Sequence, residues 1–323
     1  MSVIVTGGAG FIGSCVVRML NNDGCTDIII VDNIASTGKW KNLSDKKYSS
    51  YYNKSVFLDI LDELDGVESI IHMGACSSTT ERDFDYLWIN NVEYSKKLWE
   101  YAAKKQIPFI YASSAATYGD GSMGFDDKQN IDNLRPLNGY GYSKQAFDQW
   151  ANRSTADSKP PQHVGLKFFN VYGPNEYFKG SMASMVFHGF KQIRESGRVC
   201  LFKSYNPKYA NGGQLRDFVY VKDVCEVIRW LLSHREVSGL FNVGTGRPRT
   251  FHDLASATFA AMGLEEKIEY IDMPEELKER YQYYTCANMD KLKSAGYDID
   301  FVSLEQGVQD YVLSHLERGY TCY

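Results

Sequence analysis

Near-continuous apolar runs alternate with segments of helical period along the first half of the chain, a pattern that predicts a parallel sheet covered by helices on both faces. Val3–Thr6 reads as the first strand, followed by a glycine-rich turn and a helix from about Phe11 to Asn21. Asp27–Val31, Ser69–Met73 and Phe109–Ala112 read as further buried strands, with a long helix over about Tyr86–Lys105 between the last two. Gly165–Asn170 and Gly239–Val243 continue the sheet, and Phe218–Leu232 reads as a loop or strand leading into a helix. The fold class expected is therefore α/β, a doubly wound parallel sheet. Gly173–Arg216 and about Arg247–Tyr323 lose the strand–helix alternation and are richer in aromatic and charged residues. They predict a second, smaller α/β lobe built from two pieces of chain. The expected division is 1–170 plus 217–246 for the sheet domain and 171–216 plus 247–323 for the smaller lobe. No Pro/Ser-rich linker separates them, so a broad shared interface is expected.

Composition narrows the class. The 323 residues suit about two domains. With 35 Lys and Arg against 40 Asp and Glu, the net charge of −5 lacks the basic surplus of a nucleic-acid binder. No apolar run approaches the roughly 18 residues of a membrane helix. The start, Met1-Ser2-Val3-Ile4-Val5, enters a strand pattern at once, so no signal peptide is expected. The seven cysteines are an odd number without a C-x-x-C pair, and the six histidines include no H-x-x-x-H. A reducing, cytoplasmic setting without disulfides or a structural metal is expected.

The turn after the first strand is Gly7-Gly8-Ala9-Gly10-Phe11-Ile12-Gly13, and Asp32 stands 19 residues beyond Gly13 at the end of the second strand. Strand before, helix after and an acid at that distance are the context in which a glycine turn binds a dinucleotide. Gly7 and Gly10 let the backbone approach a pyrophosphate, Gly13 lets the helix pack on the sheet, and the helix N-terminus offers free N–H groups. Asp32 would accept hydrogen bonds from ribose hydroxyls and so favours NAD. Lys39 and Lys54 pull the other way, since a lysine neutralises a 2′-phosphate; each alone also reads as a solvated surface lysine.

Tyr140 and Lys144, four apart in Tyr140-Gly141-Tyr142-Ser143-Lys144, fall on one helix face. A free tyrosine pKa near 10 is too high for a base at neutral pH. A lysine ammonium and an oxidised nicotinamide both favour the tyrosinate. Tyr142 points elsewhere. Upstream, Ser113 and Ser114 follow the fourth strand, at the sheet end where ligands bind. Ser114 is placed to hydrogen-bond a substrate hydroxyl or carbonyl, and Ser113 is expected to cap the strand end.

The G-x-x-G-x-x-G turn, the Tyr140–Lys144 pair and Ser114 resemble the extended short-chain dehydrogenase/reductase family, and specifically its nucleotide-sugar epimerases. The strings Gly74-Ala75-Cys76-Ser77-Ser78-Thr79-Thr80-Glu81, Asn170-Val171-Tyr172-Gly173-Pro174, Lys179-Gly180-Ser181-Met182-Ala183-Ser184 and Arg216-Asp217-Phe218 are similar to those of the branch acting on ADP-linked heptoses. The resemblance implies 6-epimerisation of an ADP-heptose for lipopolysaccharide core assembly, with one tightly bound NADP per subunit, NAD being the alternative, and a homopentamer. It implies Tyr140, Lys179, Ser114 and Lys144 as catalytic, with Lys179 a second proton-transfer group. It implies Gly7, Gly10, Phe11, Ile12, Gly13, Asp32, Asn33, Lys39, Lys54, Gly74, Ala75, Cys76, Ser77, Asn90, Lys144 and Val171 at the cofactor. Asn170, Ser181, His188, Phe202, Lys203, Ser204, Tyr205, Arg216 and Tyr281 would face the sugar nucleotide. Arg216 suits a diphosphate on chemistry alone, since its planar fork makes paired bonds; His188 and Tyr281 rest on the resemblance. Two positions depart from the family pattern: Met73 stands where Glu is frequent, and Lys167 where Arg is usual, neither expected in the acid–base constellation. Ala115-Ala116 replace the acidic pair of the related dehydratases, which argues against water elimination. The rival readings are another sugar-nucleotide epimerase or reductase on this fold, for example a 4-epimerase, and a non-catalytic dinucleotide-sensing protein.

Overall fold

The computed structural model describes residues 2–278 and 281–323. Seven parallel strands form one sheet: β1 (Ser2–Thr6), β2 (Ile28–Asp32), β3 (Ser50–Asn53), β4 (Val67–His72), β5 (Phe109–Ser114), β6 (His163–Phe168) and β7 (Gly239–Val243). Their order across the sheet is 7-6-5-4-1-2-3. The order reverses between β1 and β4, which opens a crevice at the strands' carboxyl ends, where doubly wound sheets bind ligands. All five positions of β2 are buried, as its Ile28-Ile29-Ile30-Val31 run demands of a strand covered on both faces. One apolar core lies on the face bearing Val5, Val16, Ile30, Val164 and Val227. The other lies on the face bearing Ile4, Val31, Trp99, Phe109 and Phe147.

A third cluster, Ile193, Val199, Leu201, Ala255 and Phe259, belongs to the pieces that carry no strand of the large sheet. There Val199–Phe202 pairs in parallel with Ile268–Ile271, against the helices Met185–Ser196 and Phe251–Ala261. Among the described residues no helix is long and apolar enough to cross a membrane.

Several sequence expectations are corrected. β3 and the helix Lys54–Ile60 were not foreseen; Ser50-Tyr51-Tyr52-Asn53 is a half-exposed edge strand without an apolar run, so periodicity has nothing to report. The sixth strand starts at His163 and ends at Phe168, whereas Asn170–Tyr172 forms a separate parallel pair with Phe218–Tyr220. The long helix starts at Phe84, not Tyr86, and contains a π-helical turn at Ile89–Glu93. Such turns widen a helix and frequently mark functional positions; this one carries Asn90 and Asn91.

Candidate active site

The turn between β1 and the helix Phe11–Asn22 approaches the chain after β4 so closely that side chains do not fit. At Gly7, whose φ is +66°, a Cβ would lie 2.7 Å from the Gly74 nitrogen. At Gly13 it would lie 2.1 Å from the Gly7 carbonyl oxygen. The helix has no side-chain cap and no acid in its first turn, so its leading N–H groups remain available to an anion. Asn42, unremarkable in the sequence, donates to the carbonyls of Ala9 at 3.0 Å and Asn175 at 3.1 Å, joining the turn to the loop that follows Pro174. Phe178 of that loop packs on Gly38, where a Cβ would come within 2.4 Å of the ring.

These segments enclose a cleft of about 630 Å³. It brings together Gly7, Gly10, Phe11, Ile12, Gly13, Asp32, Asn33, Lys39, Lys54, Gly74, Ala75, Cys76, Ser77, Asn90 and Lys179. Met73 lines it, and so does Tyr94, whose buried hydroxyl has no partner among the described residues. The Asp32 carboxylate accepts from Ala9 N at 2.9 Å, Asn33 N at 2.7 Å and Lys39 Nζ at 2.8 Å. Lys54 Nζ donates to Asn90 Oδ1, and its half-burial pushes its pKa down. A glycine cradle, an uncapped helix end and an orphan hydroxyl fit a dinucleotide.

At the end of β5 the reactive groups meet. Tyr140 begins the helix Gly139–Arg153, which Asn138 caps by accepting from Gly141 N at 2.8 Å. Burial raises the Tyr140 pKa, against a hydrogen bond from Ser114 that lowers it. Lys144 is buried, donates to the Ala112 carbonyl at 2.8 Å and has its pKa lowered to about 8, burial outweighing the opposing pull of Asp148. Ser114 also accepts from Ala116 N at 3.1 Å and caps the turn Ala115–Tyr118. Ser113 is not a cap, contrary to expectation: its hydroxyl donates to Asp148 Oδ2 at 2.6 Å. Tyr142, exposed, packs against Phe84. Asn91 accepts from Cys76 N at 2.8 Å and donates to the Cys76 carbonyl and Ser143 Oγ, each at 3.0 Å, tying the cleft to this helix. No motif signals Asn91; it falls on the π turn that period-3.6 reasoning passes over.

Lys179 lies on the phosphate-turn side of the cleft, its Nζ 5.2 Å from the centroid of the Phe11 ring. Burial lowers its pKa and Glu176 opposes the shift. Among the described residues no hydrogen bond joins it to Tyr140 or Ser114. In the smaller lobe, the Arg216 guanidinium lies 5.4 Å from the Tyr281 ring and 5.6 Å from that of Phe251, and burial lowers its pKa. Tyr281 stands edge-on to Phe202, and Tyr205 N donates to Tyr283 Oη at 3.1 Å. Lys203 and Tyr205 both turn to Asp272, at 3.1 and 2.9 Å, and Ser204 Oγ donates to the Asn206 carbonyl. Gln282 donates to the Gly119 carbonyl at 2.9 Å, joining this aromatic cluster to the turn after Ser114. Asn170 and Ser181 are exposed, Val171 pairs with Val219, and His188 lies half-exposed on the helix Met185–Ser196. None of these four lines the dinucleotide cleft.

Residues 3–244 match the family model described as the NAD dependent epimerase/dehydratase family. The chain belongs to this family. It is 52% identical over 317 residues to an ADP-L-glycero-D-manno-heptose-6-epimerase of Nitratidesulfovibrio vulgaris (strain DP4), covering 97% of each chain. The crystal structure of the Helicobacter pylori ADP-L-glycero-D-manno-heptose-6-epimerase superposes with a TM-score of 0.80 at 28% identity, covering 96% of this chain and 94% of that one. A Thermus thermophilus UDP-glucose 4-epimerase in complex with NAD gives 0.78 at 26% identity, covering 97% and 98%. The family's NAD dependence agrees with the cleft, and its epimerase chemistry with the tyrosine, lysine and serine at the end of β5.

Proposed function

We propose that this protein inverts C6 of the heptose in ADP-D-glycero-D-manno-heptose, giving the L-glycero form, by transient oxidation and reduction with NADP as the resident cofactor. The observation that carries the reading is the meeting of Tyr140, Lys144 and Ser114 beside a dinucleotide cleft, in a chain whose relatives at about half identity are epimerases of this sugar nucleotide. When bound, the nicotinamide cofactor supplies a hydride acceptor that returns the hydride, so no external reductant is consumed. Tyr140 removes the C6 hydroxyl proton, and Ser114 holds the oxygen as it becomes a carbonyl. Burial alone disfavours the tyrosinate, so Lys144, protonated below about pH 8, is needed to offset it.

Inversion requires proton transfer to a hydroxyl in either configuration, and Tyr140 occupies one place. Lys179 is the second proton-transfer group in this reading: it is a buried amine with a lowered pKa on the wall of the cleft. The Phe202, Tyr281 and Arg216 cluster is assigned to the nucleotide diphosphate, the guanidinium for the phosphates and the rings for the base. The division into 1–170 plus 217–246 and 171–216 plus 247–323 then gives the first part most of the cofactor cleft and the second the substrate cluster, with Asn175, Phe178, Lys179 and Met182 of the second part also lining the cleft. NADP is favoured over NAD because Lys39 neutralises Asp32 at 2.8 Å and Lys54 lines the same cleft, so a 2′-phosphate meets cations rather than a bare carboxylate.

The test is to incubate the protein separately with ADP-D-glycero-D-manno-heptose and UDP-glucose, following each product by NMR, and to identify by mass spectrometry the dinucleotide released on denaturation. C6 inversion of the heptose with NADP released is the expected result. Inversion of UDP-glucose at C4 with the heptose untouched would overturn the substrate assignment, and NAD alone would overturn the cofactor assignment.

A further inference from the structure

A buried ion pair lies beneath the catalytic residues, and the chemistry above makes no use of it. Lys167, on β6, and Asp148, on the helix of Tyr140, have side chains 2% and 0% exposed, with Nζ 3.2 Å from Oδ2. Lys167 touches none of Tyr140, Lys144 and Ser114, as expected of it, but its partner lies on the helix that carries the first two. Lys167 stands opposite Ser113 in the pairing of β5 with β6, and it also donates to Thr117 Oγ1 at 2.6 Å. The Asp148 carboxylate accepts from Ser113 Oγ at 2.6 Å and Tyr111 Oη at 3.1 Å as well. Buried ion pairs are weak stabilisers of a fold, because desolvating two charges consumes most of the attraction between them. The placement of this one calls for another explanation.

Asp148 follows Lys144 by four residues and Tyr140 by eight, so the three share one helix face. Tyr111 and Ser113 flank Ala112, whose carbonyl receives the Lys144 ammonium, and Ser113 immediately precedes Ser114. One carboxylate thus fastens the catalytic helix to the catalytic strand on both sides of the Lys144 acceptor. We propose that Asp148, held by Lys167, Ser113 and Tyr111, is a positioning residue that sets Tyr140 and Lys144 against Ser114. The proposal rests on the reading of Tyr140 as the proton-transfer group. The carboxylate has an electrostatic consequence too: it opposes the burial that lowers the Lys144 pKa.

Asp148→Asn alone strands a buried lysine, so it is made together with Lys167→Met, and Ser113→Ala supplies a milder variant that leaves no charge unpaired. The double variant is expected to lose about 10–100-fold in kcat, the scale of a small displacement of a reacting group, with the KM for the sugar nucleotide within about two-fold. In protein labelled with 13Cε-lysine and free of substrate, the Lys144 resonance should titrate about one pH unit lower than in the native chain. Its assignment comes from Lys144→Arg. Lys167→Arg made alone, which keeps both the cation and the Asp148 carboxylate, should leave both readouts near native, and Ser113→Ala should lower kcat several-fold without moving KM. A folded double variant with native kcat and a native Lys144 titration would overturn the proposal. So would a loss shared equally by kcat and KM with the titration unmoved. If the double variant does not fold, a Ser113→Ala protein with native kcat overturns it. Near-native turnover by Tyr140→Phe would instead remove the underlying reading, which keeps the two failures apart.

Discussion

Replacing Gly13 by alanine should weaken dinucleotide binding by about 100-fold or more while leaving the chain folded. The added methyl would sit 2.1 Å from the Gly7 carbonyl oxygen, 2.7 Å from its carbon and 3.1 Å from Gly8 Cα. A carbon approaches a carbonyl oxygen no closer than about 3.3 Å in ordinary contacts, so the helix start and the turn must separate by about 1 Å. Neither side yields easily. Gly7 N donates to the Val31 carbonyl at 2.7 Å, Gly10 N to the Gly7 carbonyl at 2.9 Å, and Asn42 holds Ala9. A displacement of that size at a positioned group costs on the order of 100-fold. Titration with dinucleotide, read by quenching of intrinsic tryptophan fluorescence, should show at least that loss, and urea unfolding should show a cooperative transition. Gly189→Ala, on the helix Met185–Ser196 and away from the cleft, is the control: its Cβ would lie 3.7 Å from Val199 Cγ2, an ordinary contact, and binding should stay native. Affinity within three-fold of native in Gly13→Ala, or equal losses in the two variants, would refute the argument.

Four further outcomes are expected. Tyr140→Phe should retain dinucleotide affinity and lose about 10²–10⁴-fold in turnover, the usual worth of general acid–base catalysis, measured by NMR of the sugar nucleotide. Lys39→Ala should weaken NADP by about ten-fold and NAD by less, as measured by calorimetry; equal losses would reverse the cofactor assignment. Lys144, titrating at about 8 in the folded chain against 10.5 as a free group, binds its proton more weakly than the unfolded chain does between those values, so stability rises with pH across that window. Comparing urea midpoints of native and Lys144→Met protein at pH 7 and pH 10 should show the variant's advantage shrinking as pH rises. Lys179→Met should bind substrate and cofactor yet fail to invert C6, and should add little to the loss in Tyr140→Phe, because either lesion stops the full cycle.

The lining of the cleft and the tyrosine–lysine pair were legible because their requirements are local. A glycine turn between strand and helix, an acid at the next strand end and a tyrosine–lysine pair one helical turn apart each announce themselves within a few residues. Asn42, Asn91 and Asp148 were not legible, since each acts across 15 residues or more on backbone or side chains that no short pattern joins to it. Ser113 and Ser114 show the limit in miniature: adjacency says that one faces the site, but only the packing of the catalytic helix shows what the other does. β3 escaped because an edge strand with one wet side and no aliphatic run has no period to read. Lys203, Ser204 and Tyr205 had no signal of their own and rest on the resemblance; the structure turns them to Asp272 and Asn206.

The place of Tyr140 is decided by several remote parts of the chain, and this bears on why the motif needs small neighbours. At Gly141 a Cβ would lie 2.8 Å from the Ala116 carbonyl oxygen and 3.1 Å from Pro136 Cβ, so the helix start is pressed onto the turn that follows Ser114. Asn138 caps the helix from before, and Gln145 reaches back to the carbonyls of Ile131 and Leu134 at 2.8 and 3.1 Å. Ser143 donates to the Tyr140 carbonyl at 2.7 Å and accepts from Asn91, which also grips Cys76 on the cleft. These contacts fix the backbone that carries the phenol, and the Ser114 hydroxyl holds its oxygen at the end of β5. A base held this way needs little reorganisation in the transition state, but it serves one configuration well. Inversion then requires either a second group, for which Lys179 is the buried amine at hand, or rotation of the sugar between the two hydride transfers. The Lys179→Met variant decides between them: net inversion at a native rate would leave rotation as the only route, and Tyr140 as the one acid and base for both faces.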